Sequence, residues 1–138
     1  MPVLNILMRF AHIISAITLL GGVLVWLLAI SPALVSLSDE TRGKVENAIV
    51  AAWRPVSFAS IGGLLVSGIY NFLNKTNLTP AYHAVIGVKF LLVLHVFAVV
   101  IVALKPDNSK RTRQLTGVAV SGVLIVILSA VLRWILTQ

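Results

Sequence analysis

The chain has 138 residues, 59% of them hydrophobic and 11% charged, with a net charge of +7 and no cysteine. A soluble domain carries about a quarter of its residues charged, so this composition and a mean hydropathy of +1.02 exclude an ordinary soluble fold. The lack of cysteine excludes disulfides, iron–sulfur clusters and thiolate metal sites.

Four stretches reach the ~20 apolar residues that a helix needs to span a bilayer: about residues 4–34, 48–73, 82–104 and 115–136. Lipid offers the backbone no hydrogen bonds and the runs are too long for barrel strands, so all four must be helical. The prediction is one all-α domain over residues 1–138, an integral membrane four-helix bundle.

The first stretch runs from Phe10 to Ile30 without a charge. That is too long for the apolar core of a signal peptide, and no small-residue cleavage pattern follows, so it reads as a span. Asn5, Arg9, His12 and Ala16 recur on it at helical spacing and share a stripe. Thr18 and Gly22 are four apart, the small-residue spacing of closely packed helices, and Gly63–Ser67 and Gly117–Ser121 repeat it later. Pro32 and Pro55 are expected to kink their helices, because apolar sequence continues past both.

Ser38 or Asp39 can cap a helix that begins in the first connector, 37–47, whose acids suit a first turn. Asn74-Lys75-Thr76-Asn77 closes the second helix, and Thr79-Pro80 opens the third. Lys105-Pro106-Asp107-Asn108 marks the turn before the fourth. The third helix carries His83, Lys89 and His95, each six residues apart. Six residues turn ~600°, so the three point in directions about 120° apart and at most one looks straight at His12. His12 and Lys89 each lie ~12 Å from the same end of their helices, and His95 lies ~9 Å deeper. Ser129 and Arg133 form a short stripe on the fourth helix near that end.

Connectors one and three hold Arg42, Lys44, Lys105, Lys110, Arg111 and Arg113, six cations against Arg9, Lys75 and Arg133 on the other side. The positive-inside rule then places these connectors in the cytoplasm and both termini on the extracytoplasmic side, in a bacterial-type inner (plasma) membrane. All four acids, Asp39, Glu40, Glu46 and Asp107, fall on the connector side. The outer half therefore has no carboxylate.

Ionisable groups at membrane depth are costly and mark function by default. On a purely structural reading, Arg9, Lys75, His83 and Arg133 snorkel to the outer interface. Arg54 snorkels the other way or bonds carbonyls freed by Pro55, and His12 and His95 only hydrogen-bond between helices. On the functional reading, the outer half forms a cationic, histidine-containing pocket that suits an anionic partner. Haem is an apolar plate with propionates at one edge and an iron that accepts imidazole, and bundles hold cofactors between facing helices. The expectation is haem b with His12 as axial ligand. Ligand chemistry favours His95 as the second, and depth favours Lys89. Arg9, Arg133 and Lys89 would serve the propionates. Copper is the alternative, on imidazole (His12, His95) and thioether ligands, the only sulfurs being those of Met1 and Met8.

Residues 9–34, RFAHIISAITLLGGVLVWLLAISPAL, resemble the first helix of the copper-resistance D (copper-import) membrane family, with its histidine, paired glycines and Pro-Ala-Leu. Residues 54–72, RPVSFASIGGLLVSGIYNF, are similar to its next helix, and residues 79–94, TPAYHAVIGVKFLLVL, to its Thr-Pro-Tyr segment and following lysine. The same skeleton resembles the bacterial haem-containing membrane protoporphyrinogen oxidases, whose helix-one histidine matches His12 and whose third-helix lysine matches Lys89. The resemblance implies electron transfer or small-molecule redox chemistry at the outer face, copper transport or sensing, or porphyrinogen oxidation. This chain departs from the oxidases in reading Ser31-Pro32-Ala33 in place of Leu-Pro-Arg. It also lacks their Trp-Leu-His before the lysine, unless His83 stands in. The copper family usually has more helices and appended metal-binding segments. The expected partners are the lipid bilayer and a quinone or redox partner, not nucleic acid.

Overall fold

The computed structural model describes residues 2–76 and 79–137, so Asn77 of the predicted closing turn lies outside the described residues. No strand occurs among the described residues. Four helices are long and apolar enough to cross a membrane: α1 (Pro2–Leu34), α2 (Asp39–Leu73), α3 (Pro80–Ala103) and α4 (Arg111–Ile135). Ile13, Ile17, Leu91, Leu94, Val123 and Ile127 all lie exposed on the outside of the bundle. So much continuous apolar surface belongs against lipid rather than water. This is the architecture of a multi-pass membrane protein.

The helices alternate in direction. One end of the bundle, the terminal end, carries both chain termini and the α2–α3 connection, and the other, the connector end, carries the α1–α2 and α3–α4 connections. Helices α1 and α2 pack as one hairpin and α3 and α4 as a second. The hairpins join chiefly along α1 and α4, and α2 meets α3 at few points. The main core gathers Leu19, Val23, Trp26, Val100, Leu104, Leu115 and Val118. At the terminal end, a smaller buried cluster gathers Tyr82, Ile86 and Leu132 among the described residues.

Helix α2 begins well before the apolar stretch at 48–73. Ser38 caps it, its hydroxyl accepting from the Thr41 N–H at 3.4 Å. Arg42–Asp39 and Lys44–Glu40 pairs then line its first turns. Hydropathy marks where lipid begins, and capping marks where the helix begins, which accounts for the difference. Helix α4 likewise starts at Arg111 rather than near 115. Thr79 caps α3 as predicted, accepting from the Tyr82 N–H at 3.2 Å, with Pro80 in the first turn.

Both prolines are absorbed within their helices. Pro55 lies inside α2 without interrupting it. At Pro32 the chain answers with a π-turn over Trp26–Ile30, in which the Ser31 N–H reaches back to the Trp26 carbonyl. Pro32 has no N–H to offer the Leu28 carbonyl, and such a local register shift accommodates the missing bond. Among the small residues, Gly22 lies against Trp53 and Gly122 against Leu20, so closely that an added Cβ would come within 2.6 Å of either neighbour. Gly117 differs from the packing role its spacing predicted: nothing stands within 4 Å of where its Cβ would be.

One buried cation holds the connector end together. Arg111 is 2% exposed. Its Nη1 donates to Glu46 Oε2 at 2.6 Å, its Nε to the Ala103 carbonyl at 3.0 Å and its Nη2 to the Lys105 carbonyl at 3.0 Å. The guanidinium also stacks over the Trp26 ring, 5.2 Å from its centroid. One side chain thus ties α4 to α1, α2 and the last connector. That connector is pinned again where Asn47 Nδ2 donates to Asp107 Oδ1 at 2.7 Å. Asp107 itself takes a left-handed φ of 52°, a conformation that aspartate tolerates better than most residues.

Candidate functional site

His12 sits half-buried on α1, about a third of the way from the terminal end. Its Nδ1 lies 3.0 Å from the Ser67 hydroxyl of α2. Ser67 is 1% exposed, and its hydroxyl donates to the Gly63 carbonyl at 2.5 Å. A serine has one proton to give. Since that proton goes to Gly63, the oxygen must accept from His12, and Nδ1 carries the ring hydrogen. The network therefore assigns the tautomer: in the neutral ring, Nε2 keeps its lone pair. The ring also rests on the α2 backbone, with Gly68 directly beneath its Cε1 edge. Towards the terminal end, the Tyr70 hydroxyl donates to Asn5 Oδ1 at 2.7 Å. The stripe of Asn5 and His12 thus faces α2.

Lys89 is half-buried on α3 and lies within electrostatic range of His12. No acid lies in this half of the chain; Asp39, Glu40, Glu46 and Asp107 all belong to the connector end. An imidazole on α1 and an amine on α3 thus lie within electrostatic range of each other, with no carboxylate at this end of the bundle. This is the cationic, histidine-containing arrangement that suits an anion or a metal-bearing anion.

His95 stands apart. It is exposed, and its Nδ1 lies 3.1 Å from the Ser121 hydroxyl on α4. Ser121 adjoins Gly122, which packs on Leu20, eight residues and so ~12 Å further along α1 than His12. The structure does not bring His95 and His12 together. Arg9 and Arg133 are exposed near the terminal end, and His83 is exposed beside Tyr82. Arg54 lies over the Phe58 ring, 5.6 Å from its centroid, and not on carbonyls around Pro55.

Two kinds of residue escaped the sequence reading. Ser67 and Ser121 were legible only as small members of packing pairs, yet each is the partner of a membrane-depth histidine. Their signal was available in part, since a serine on an antiparallel neighbour at the depth of a histidine is a natural partner for it. Arg111 counted only as one more connector charge, and nothing in its spacing marked it as the buried one. Among the described residues, no three of His, Cys, Asp and Glu gather as a metal-binding group.

No family model matches the chain, and no curated protein or solved structure shows significant similarity to it.

The donor set around His12 can be tested against haem on its chemistry. An axial ligand needs a nitrogen lone pair, with the opposite ring nitrogen held by a hydrogen bond that fixes the ring. His12 meets both conditions through Ser67. Lys89 offers a cation for a propionate or, once deprotonated, an amine for iron. The residues fit one imidazole ligand with Lys89 beside it.

Proposed function

We propose that this protein holds haem b in the terminal half of the bundle, with His12 Nε2 as axial ligand, for electron transfer or small-molecule redox chemistry. The observation that carries the reading is the hydrogen-bond chain from His12 Nδ1 through Ser67 to the Gly63 carbonyl, which leaves Nε2 free. Haem when bound supplies one-electron chemistry at its iron. The chain's own residues set the conditions for it. Ser67 fixes the imidazole tautomer and orientation, and Lys89 places positive charge beside the ring. Arg9 and Arg133, exposed near the terminal end, suit propionates that extend towards the interface.

The resemblance to the haem-containing oxidases and to the copper-import family bears on the same two residues, His12 and Lys89. Copper remains a second reading on one specific feature: Met8 precedes His12 by one helical turn, so a thioether and an imidazole share a face. By the connector charges, we place the termini on the extracytoplasmic side of a bacterial-type inner membrane, where a quinone or redox protein would be the partner.

The deciding experiment is a visible absorption spectrum and metal analysis of the purified, detergent-solubilised protein. Haem gives a Soret band and about one iron per chain, lost in His12→Ala with membrane insertion intact. Copper without a Soret band would move the assignment to the copper reading. A colourless, metal-free protein that stays so after incubation with hemin would leave His12 a structural residue.

A further inference from the structure

A cavity of about 400 Å³ opens on the outer face of the second hairpin, lined by His95, Val99, Lys110, Arg113, Gln114 and Gly117. It does not involve His12 or Lys89. Its mouth lies at the connector end, where Lys110, Arg113 and Gln114 surround the start of α4. All three present donors there. The Gln114 carbonyl oxygen is already occupied by Asn108 Nδ2 at 2.8 Å, which leaves its amide hydrogens to give. Among the described residues the ion pairs are Arg42–Asp39, Lys44–Glu40 and Arg111–Glu46, so neither Lys110 nor Arg113 has an acid partner. Asp107, three residues before Lys110, forms none of these ion pairs and accepts from Asn47 Nδ2.

Below this mouth the groove changes character. Val99 and Gly117 form its walls, and the missing side chain at Gly117 leaves open space between α3 and α4. His95 closes the deep end, eight residues and ~12 Å before the end of α3 at Ala103. Exposed Leu94, Val102, Val120 and Leu124 continue the apolar surface around it. The groove thus has a cationic mouth at the membrane interface, an apolar wall running into the hydrocarbon and one polar group partway down.

We propose that this groove binds the headgroup and glycerol region of an anionic phospholipid, with the phosphate at Lys110, Arg113 and Gln114. A phosphate is the ligand that an all-donor, net-positive mouth selects, and basic pockets between membrane helices recognise such headgroups. The apolar wall distinguishes a lipid from a free phosphate, because a soluble anion gains nothing from Val99 or from the space at Gly117. His95, with Nδ1 held at Ser121, lies deeper, alongside the acyl chains.

The test is native mass spectrometry of the full, delipidated chain titrated with dioleoyl phosphatidylglycerol, dioleoyl phosphatidylcholine or glycerol 3-phosphate. Phosphatidylglycerol should bind one per chain, at least tenfold tighter than phosphatidylcholine, and glycerol 3-phosphate should bind far more weakly than either lipid. Lys110→Ala and Arg113→Ala should each weaken phosphatidylglycerol binding roughly fivefold, whereas Lys105→Ala, in the same connector but outside the groove, should not. Gly117→Leu fills the groove while keeping every charge, and it should abolish the preference for phosphatidylglycerol in a protein whose helical circular dichroism is unchanged. Equal affinity for both lipids overturns the proposal, as does an equal loss in Lys105→Ala. Tight binding of glycerol 3-phosphate would make the ligand a soluble phosphate and overturn the lipid assignment.

Discussion

His12 and Ser67 meet across the α1–α2 seam at 3.0 Å, and the serine's single proton is committed to the Gly63 carbonyl. The first prediction follows from that direction of donation. Ser67→Ala leaves the His12 Nδ1–H without its acceptor and frees the ring to turn. Loss of an outer partner of this kind typically lowers metal affinity about 10–100-fold. Haem retained per protein after detergent washing should fall accordingly in Ser67→Ala and vanish in His12→Ala. Retention unchanged in Ser67→Ala would show that Nδ1 does not orient the ligand.

The second prediction separates Lys89 from His95. Both lie on α3, but Lys89 lies in electrostatic range of His12, whereas His95 is exposed and turned to Ser121 of α4. In haem-loaded protein, His95→Ala should leave the Soret position and spin state as they are. Lys89→Ala should either convert low-spin haem to high-spin or loosen its retention severalfold. A spin-state change in His95→Ala alone would return the second ligand to His95.

The third concerns stability. Arg111 is 2% exposed and its nearest counter-charge is Glu46. Removing one partner of a buried pair typically costs roughly 3–5 kcal/mol, because the other charge stays buried alone. Glu46→Gln should therefore lower the melting temperature in detergent markedly, while Glu40→Gln, in an exposed pair, should shift it hardly at all. Similar shifts in the two variants would remove Arg111 from its central place.

The fourth is a substitution expected to help. Ser57 is fully buried, and its hydroxyl has no hydrogen-bond partner among the described residues. An unpaired buried hydroxyl is destabilising by about 1–3 kcal/mol. Ser57→Ala should thus hold or raise the melting temperature; a clear fall would reveal a partner for that oxygen.

The last is topological. A reporter fused to the C-terminus should be active only in an extracytoplasmic compartment if the positive-inside rule holds for the six connector cations. Activity in the cytoplasm would invert the bundle.

The four helices and the caps at Ser38 and Thr79 were legible because length, hydropathy and capping chemistry are local. The true start of α4 was less so, since its polar first turn lies outside the apolar stretch by which the span is recognised. Spacing along α3 showed that only one of His83, Lys89 and His95 could look at His12, but not which. That choice depends on α1 lying beside α2 and α4, with α3 paired to α4, and no single helix encodes its neighbours. The same gap hid Ser67. Its spacing from Gly63 described its own helix correctly and gave no sign of the imidazole opposite.

Helix α2 meets α3 more sparsely than the other neighbouring helices meet, and one point of contact is aromatic. Phe72 and Phe90 touch there edge to face, 5.5 Å between centroids. A flat apolar guest bound for His12 would need neither a water-filled mouth nor an opening at the membrane surface. It would pass sideways out of the bilayer through this seam, past the Phe72–Phe90 contact. Loading from hemin-doped vesicles should then quicken in Phe72→Ala and slow when residues 72 and 90 are cross-linked.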